Sequence, residues 1–198
     1  MPATSKAKNP RGVEIVFTEA DHKYLSIVNG KEINYTSVTG LVGSCFPQFD
    51  PTGAIAERCA KKEGITVAEL KERWAAKGRE SCRLGTRMHE CCEDIELGRE
   101  LRNKAENEIE QMRFNNAIKM AKAFRQKLDI IGVEKLVFDD RLQIAGTIDL
   151  LGKSRKNGNY LVLDWKSNAS IEQDNKYNKF GLDPIRHIPD TAFYHYSL

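Results

Sequence analysis

Alternation of apolar and polar positions is clearest in the C-terminal third of the chain, where it predicts a β-hairpin. The segments IAGTIDLLG and YLVLDWKS run apolar or alternate, and the polar turn Lys156-Asn157-Gly158 joins them. In the second segment, Val162, Asp164 and Lys166 share one face because strand side chains alternate. VEKLVF precedes this hairpin and ends at Asp139-Asp140, so the pattern predicts an antiparallel meander of three strands.

The predicted hairpin brings two acidic side chains together. A turn centred on Lys156-Asn157 pairs Asp149 with Asp164, and opposed side chains on one face lie about 4.5–5.5 Å apart. Like charges at that distance require a cation, a shared proton or water. We therefore predict a divalent metal site. The alternative is a buried ion pair with Lys166, which leaves the two acids only half compensated.

The N-terminal part of the chain predicts a small β-meander. VEIVF has a strand pattern, and KYLSIV and KEINY flank Asn29-Gly30, the strongest short hairpin signal. Ser37-Val38-Thr39 predicts the start of a short helix or turn. Residues 1–12 are polar and are expected to form a disordered tail.

Helical periodicity dominates the middle of the chain. Thr66 and Glu69 have the spacing of a capping box, and Gly78 and Gly98 are expected to end helices. TAFYHYSL predicts the first turn of one more helix at the C-terminal end. The four predicted helices in the middle lie at about 52–62, from Thr66 to near Gly78, at 80–97 and at 103–129.

Composition indicates an ordinary soluble protein of one domain. The chain has 198 residues, of which 40% are hydrophobic and 30% are charged. It has neither an apolar run long enough for a bilayer nor the apolar core of a secretory signal, so we expect a cytoplasmic protein with no membrane partner. The five cysteines fit no zinc spacing, and none follows Cys92, so an iron–sulfur cluster is not favoured.

Charge is distributed unevenly, although the net charge is only +3. Residues 71–87 and 119–127 are rich in lysine and arginine, and residues 88–110 between them are acidic. Such segregation can form a groove for a polyanion beside an acidic site. The alternative is a set of solvated helix faces, and it is the better interpretation for any single charged run.

Three short motifs occur in a recognisable order. GTRMHE contains Gly85 and His89, IAGTIDLL contains Gly146 and Asp149, and LVLDWKS contains Asp164 and Lys166. Together they resemble the RecB-type branch of the PD-(D/E)XK nuclease superfamily, which has Gly-x-x-x-His, Gly-x-x-Asp and Asp-x-Lys motifs in this order.

The resemblance implies a fold of the α/β (α+β) class. The expected restriction-endonuclease-like core is a mixed, largely antiparallel sheet flanked by helices, with an N-terminal β-hairpin and a helical insertion. We predict one nuclease domain over residues 13–198. Its expected parts are an N-terminal β-meander (13–50), a helical part with the histidine motif (51–130) and a catalytic β-meander with the start of a C-terminal helix (131–198).

The resemblance also implies the roles of the motif residues. The expected ligands of Mg²⁺ or Mn²⁺, as two ions, are His89, Asp149, Asp164 and the backbone carbonyl of Trp165. Asp149 and Asp164 are thereby catalytic, and Lys166 is the catalytic lysine. Further candidates that support the site are Glu93 and Glu134, for which a role as ordinary surface acids is an equally good interpretation.

Relatives carry a Gln-x-x-x-Tyr motif on the helix that follows the last motif strand. In this sequence that helix begins at TAFYHYSL, residues 191–198. We therefore expect the motif to lie after residue 198 and the domain to be incomplete without it.

The expected activity is hydrolysis of DNA by a metal-dependent deoxyribonuclease, an exonuclease on single-stranded DNA or DNA ends. The expected phosphate contacts are the arginines Arg79, Arg83 and Arg87 and the basic run 119–127. The alternatives are a non-catalytic DNA-binding domain of the same fold and a structure-specific endonuclease of repair or recombination. The resemblance further implies a bacterial or phage protein.

Overall fold

A computed structural model describes residues 4–51, 53–168 and 170–198. The chain packs as two compact units. The first comprises Met1–Phe46, Lys122–Trp165 and Ser170–Leu198, and the second comprises Pro47–Ala121 and Lys166–Ala169. The single nuclease domain and its internal boundaries stay a prediction.

The first unit contains a seven-stranded sheet that is mostly antiparallel, which confirms the predicted fold class. The strand order is β1-β2-β3-β4-β6-β5, and β7 also pairs with β6. Among the strand pairings of the described residues, only the short β4–β6 pairing is parallel. The strands are β1 (Thr4–Lys8), β2 (Glu14–Thr18), β3 (Lys23–Val28), β4 (Lys31–Ser37), β5 (Leu128–Asp139), β6 (Ile144–Ser154) and β7 (Tyr160–Leu163).

Helices make up most of the second unit. These helices are α2 (Ala54–Glu63), α3 (Val67–Leu97) and, as far as Ala121, α4 (Glu108–Lys127). The first unit also has two short helices, α1 (Val38–Ser44) and α5 (Ala192–Ser197). No helix in the described ranges combines the length and the apolar character that a membrane span requires.

Local sequence signals are confirmed where they depend on only a few residues. Asn29 and Gly30 have φ values of 52° and 75°, as the predicted hairpin turn requires. The Thr66–Glu69 capping box begins α3, and Gly98, with φ 68°, ends it. The Ser37 side chain caps α1 by accepting a hydrogen bond from the Gly40 amide.

Two predictions about element boundaries are wrong. No helix ends at Gly78, because α3 continues through it as one helix of 31 residues. An interior glycine costs only about 1 kcal/mol, which the rest of so long a helix offsets. The segment 1–12 is not a disordered tail throughout, since Thr4–Lys8 pairs with β2 as strand β1. Residues 1–3 lie outside the described residues.

Candidate metal centre

Two acidic side chains meet on adjacent strands in the first unit. Asp149 lies on β6 and is buried. The β5–β6 ladder pairs Val133 with Leu150 and Lys135 with Ile148, so Glu134 lies opposite Asp149. The ligand oxygens of Glu134 and Asp149 are within 4.8 Å of each other. Two carboxylates this close, one of them buried, fit an oxygen-ligated divalent cation such as Mg²⁺ or Mn²⁺.

The backbone at Glu134 is unusual for a strand residue. Its φ is 46°, in the left-handed region that non-glycine residues seldom adopt. Such a conformation costs on the order of 1–3 kcal/mol and is concentrated at functional sites. The sequence suggested Glu134 only as a supporting residue, because no local pattern shows that a strand will place this acid opposite Asp149.

The predicted hairpin register is confirmed. β6 and β7 pair Leu150 with Leu163 and Leu151 with Val162. Continued by one residue beyond β7, this register places Asp164 opposite Asp149. Asp164 is nevertheless not in the group of close ligand atoms that contains Glu134 and Asp149.

The Asp164-Trp165-Lys166 motif contacts Asp149 through a main-chain hydrogen bond. The Trp165 backbone N–H donates a hydrogen bond of 2.7 Å to Asp149 Oδ2. The Trp165 ring lies 5.8 Å from the ring of Phe124, which helps to anchor this strand extension. Asp164 and Lys166 are exposed, while Trp165 between them is half-buried, so the predicted alternation continues past the end of β7.

Gly146, the glycine of the second motif, has a packing role. A Cβ placed there would lie 3.1 Å from Val38 Cγ2, closer than carbon atoms normally approach. Glycine therefore lets α1 pack closely on the strand that carries Asp149.

The first motif lies on α3 in the second unit. A Cβ on Gly85 would lie 3.6 Å from the Ser167 hydroxyl, so the segment that begins at Lys166 runs beside α3 at this glycine. His89 follows one helical turn later on the same side and is half-buried. A bulky side chain at position 85 would therefore displace the residue that follows Lys166.

The family model of the PD-(D/E)XK nuclease superfamily matches residues 53–197, which include all three motifs. The chain belongs to the PD-(D/E)XK nuclease superfamily. No curated protein matches the chain, and no solved structure matches it. Divalent metals are usual in this superfamily, and a pair of close carboxylates suits them.

The three arginines predicted to bind DNA all have acidic partners in this superfamily member. Arg79 pairs with Glu72 at 2.8 Å, and both side chains are largely exposed. Arg83 contacts Glu80 and Glu106, each at 2.8 Å. These two arginines remain candidates for phosphate binding, since exposed ion pairs exchange readily with an anion.

Arg87 has a structural partner instead. Its guanidinium donates to Glu110 at 2.6 Å, and only 15% of the Arg87 side chain is exposed. It also donates to the Lys104 carbonyl. The hydrogen bonds from Arg87, together with one from the Glu106 amide, lower the pKa of Glu110 to about 2. Arg87 therefore ties α3 to α4, and the sequence did not distinguish it from the two exposed arginines.

The Arg87–Glu110 pair predicts loss of stability in acid. Because the pKa of Glu110 is lowered from 4.5 to about 2, its contribution is complete above pH 4.5 and is lost as the pH falls toward 2. Glu110→Gln should lose about 2 kcal/mol of unfolding free energy at pH 7 and flatten this acid dependence. Denaturant unfolding at a series of pH values measures both. Glu72→Gln, which breaks the exposed Arg79 pair, is the matched control and should change stability by less than about 0.5 kcal/mol.

Proposed function

We propose that this protein is a Mg²⁺- or Mn²⁺-dependent deoxyribonuclease of the RecB-type branch, an exonuclease acting on single-stranded DNA or DNA ends. The observation that carries the proposal is the Glu134–Asp149 pair, with Asp149 hydrogen-bonded to the main chain of the Asp-x-Lys motif. A purely structural ion pair would join an acid to a cation. Here the buried Asp149 faces a second acid, Glu134, whose backbone has a strained positive φ.

We propose that Glu134 and Asp149 bind the divalent ion. His89, Asp164 and the Trp165 carbonyl, the ligands that the motifs imply, would complete the coordination of two ions. Carboxylate and carbonyl oxygens are the usual ligands of Mg²⁺ and Mn²⁺. The support for His89 and Asp164 is their place in the motifs of the matched superfamily. The support for Glu134 is its position opposite Asp149.

Bound divalent ions would supply charge neutralisation for the phosphate and a more acidic water. The protein's own residues orient the metal ligands and the attacking water. The Trp165 amide holds Asp149 in one orientation through Oδ2. We assign to Lys166 the task of orienting the attacking water and stabilising the charge that develops on the phosphoryl oxygens. The water oxygen bonds to phosphorus and gives up a proton to solvent, the phosphodiester P–O bond breaks, and the leaving oxygen takes a proton from solvent.

Phosphate binding outside the centre is assigned to exposed cations. Arg79 and Arg83 on α3 are exposed, and so are Lys119, Lys122 and Arg125 on α4. Contacts of this kind bind DNA without reading its sequence and weaken with salt. We also propose that the protein is encoded by a bacterium or a phage, and that it acts in DNA repair or recombination in the bacterial cytoplasm.

Linear and circular single-stranded DNA of equal length test the proposed activity. The protein should degrade the linear substrate from its ends with Mg²⁺ or Mn²⁺, and it should leave the circle intact. Neither substrate should be cut in EDTA. Cleavage of the circle would show an endonuclease, and binding of both without cleavage would show a non-catalytic DNA-binding domain.

A further inference from the structure

Two aromatic side chains meet at the surface of the second unit, at the start of α3. The rings of Phe49 and Trp74 lie 5.5 Å apart in an edge-to-face arrangement. Phe49 is 56% exposed and Trp74 is half-buried. Trp74 thus supports a phenylalanine ring that remains largely in solvent.

Cations flank this aromatic pair. Lys71 and Lys77 lie three residues before and after Trp74, on the same side of α3 and about 9 Å apart along its axis. Both lysines are exposed, and within the described ranges neither makes an ion pair with an acidic side chain.

Two neighbouring arginines on α3 already have acidic partners. Arg73 pairs with Glu63 at 3.1 Å, and Arg79 pairs with Glu72 at 2.8 Å. The acid nearest to Lys71 in sequence, Glu72, therefore already has a guanidinium partner. The positive charge beside the aromatic pair comes from the two lysines, and it is the charge that an anionic ligand would meet.

We propose that the Phe49 ring, supported by Trp74, stacks on a base of single-stranded DNA, and that Lys71 and Lys77 hold the phosphates on either side of that base. The inference rests on the proposed function and identifies a part of the surface that would hold the substrate strand. Unpaired bases offer open π-faces next to phosphates, whereas duplex bases are stacked on one another. An exposed aromatic ring with flanking cations matches both features of a single strand.

Anisotropy of a labelled oligothymidine tests the proposal in the Lys166→Ala background with EDTA, where the strand is not degraded. Phe49→Ala and Trp74→Ala should each weaken binding by roughly fivefold or more, the usual effect of losing one stacked base. Phe49→Tyr should retain binding. The double variant Lys71→Ala/Lys77→Ala should reduce the slope of log affinity against log salt by about 1.4.

Matched controls lie elsewhere on the surface. Tyr177, which is 83% exposed, controls for Phe49, and the exposed Lys31 at the start of β4 controls for the lysines. Neither Tyr177→Ala nor Lys31→Ala should change binding. Equal binding by Phe49→Ala and the parent, or an equal loss in Tyr177→Ala, would overturn the proposal. Because Phe49 is largely exposed, Phe49→Ala retains the fold and keeps the test valid even if Trp74→Ala unfolds.

This test separates the stacking site from the catalytic proposal. If the parent chain does not cleave DNA but Phe49→Ala weakens binding, the nuclease assignment fails and the stacking site stands. If the parent chain cleaves DNA and Phe49→Ala binds equally well, the stacking site fails and the nuclease assignment stands.

Discussion

Asp149→Asn should abolish DNA cleavage while the protein remains folded. Asparagine keeps an oxygen that can accept the Trp165 N–H hydrogen bond, so the local backbone is retained. The change removes the charge that would bind the ion, and the loss of several kcal/mol of transition-state stabilisation corresponds to about a 10³-fold slower rate. Initial rates on labelled single-stranded DNA, in saturating Mg²⁺ or Mn²⁺, measure the effect.

Without metal, Asp149→Asn should be more stable than the parent protein, although it is expected not to cleave DNA. The carboxylates of Asp149 and Glu134 lie within 4.8 Å and repel each other. Removing one charge should raise the unfolding free energy in EDTA by on the order of 1 kcal/mol, and it should remove the stabilisation that Mn²⁺ gives to the parent. Asp21→Asn, at the exposed β2–β3 turn, should do neither. If Asp149→Asn is less stable than the parent in EDTA, repulsion between the two carboxylates does not lower the stability of the parent protein.

Lys166→Ala should slow cleavage by about 10²–10³-fold, the usual cost of losing one group that stabilises developing charge. Lys166 is exposed, so the variant should remain folded in EDTA. Because an ammonium is not a metal ligand, Mn²⁺ should still stabilise the variant as it stabilises the parent. Single-turnover cleavage rates and thermal unfolding with and without Mn²⁺ measure these two properties separately.

Lys156→Ala is the matched control for Lys166→Ala. Lys156 is an exposed lysine in the β6–β7 turn of the same hairpin, and it should be replaceable without loss of rate. If Lys166→Ala cleaves DNA as fast as Lys156→Ala, Lys166 is not the catalytic lysine.

Features set by adjacent residues could be predicted from the sequence. The β6–β7 register follows from the turn at Lys156-Asn157 and the period of two, and the structure has that register. The start of α3 follows from the Thr66–Glu69 capping box, which satisfies the first free amides of the helix. The order of the three motifs was sufficient to indicate the superfamily, and the family match confirms it.

Features set by tertiary packing could not be predicted in this way. The β5–β6 ladder has a register shift between Ile130 and Gly132. A one-residue shift changes which face every later side chain occupies, so the position of Glu134 opposite Asp149 depends on it. Its positive φ likewise has no sequence signature, because glutamate is not a residue that favours that conformation. Arg87 differs from the exposed Arg79 in having a buried partner, Glu110, which lies on another helix.

Calorimetric titration of Mn²⁺ tests most directly whether the acid pair on β5 and β6 binds the catalytic ion. The parent protein and Lys166→Ala should bind Mn²⁺ with the same stoichiometry and affinity. Asp149→Asn should lose at least one of the sites. Unchanged binding in Asp149→Asn, or no binding of Mn²⁺ by the parent protein, would contradict a metal centre at Glu134 and Asp149.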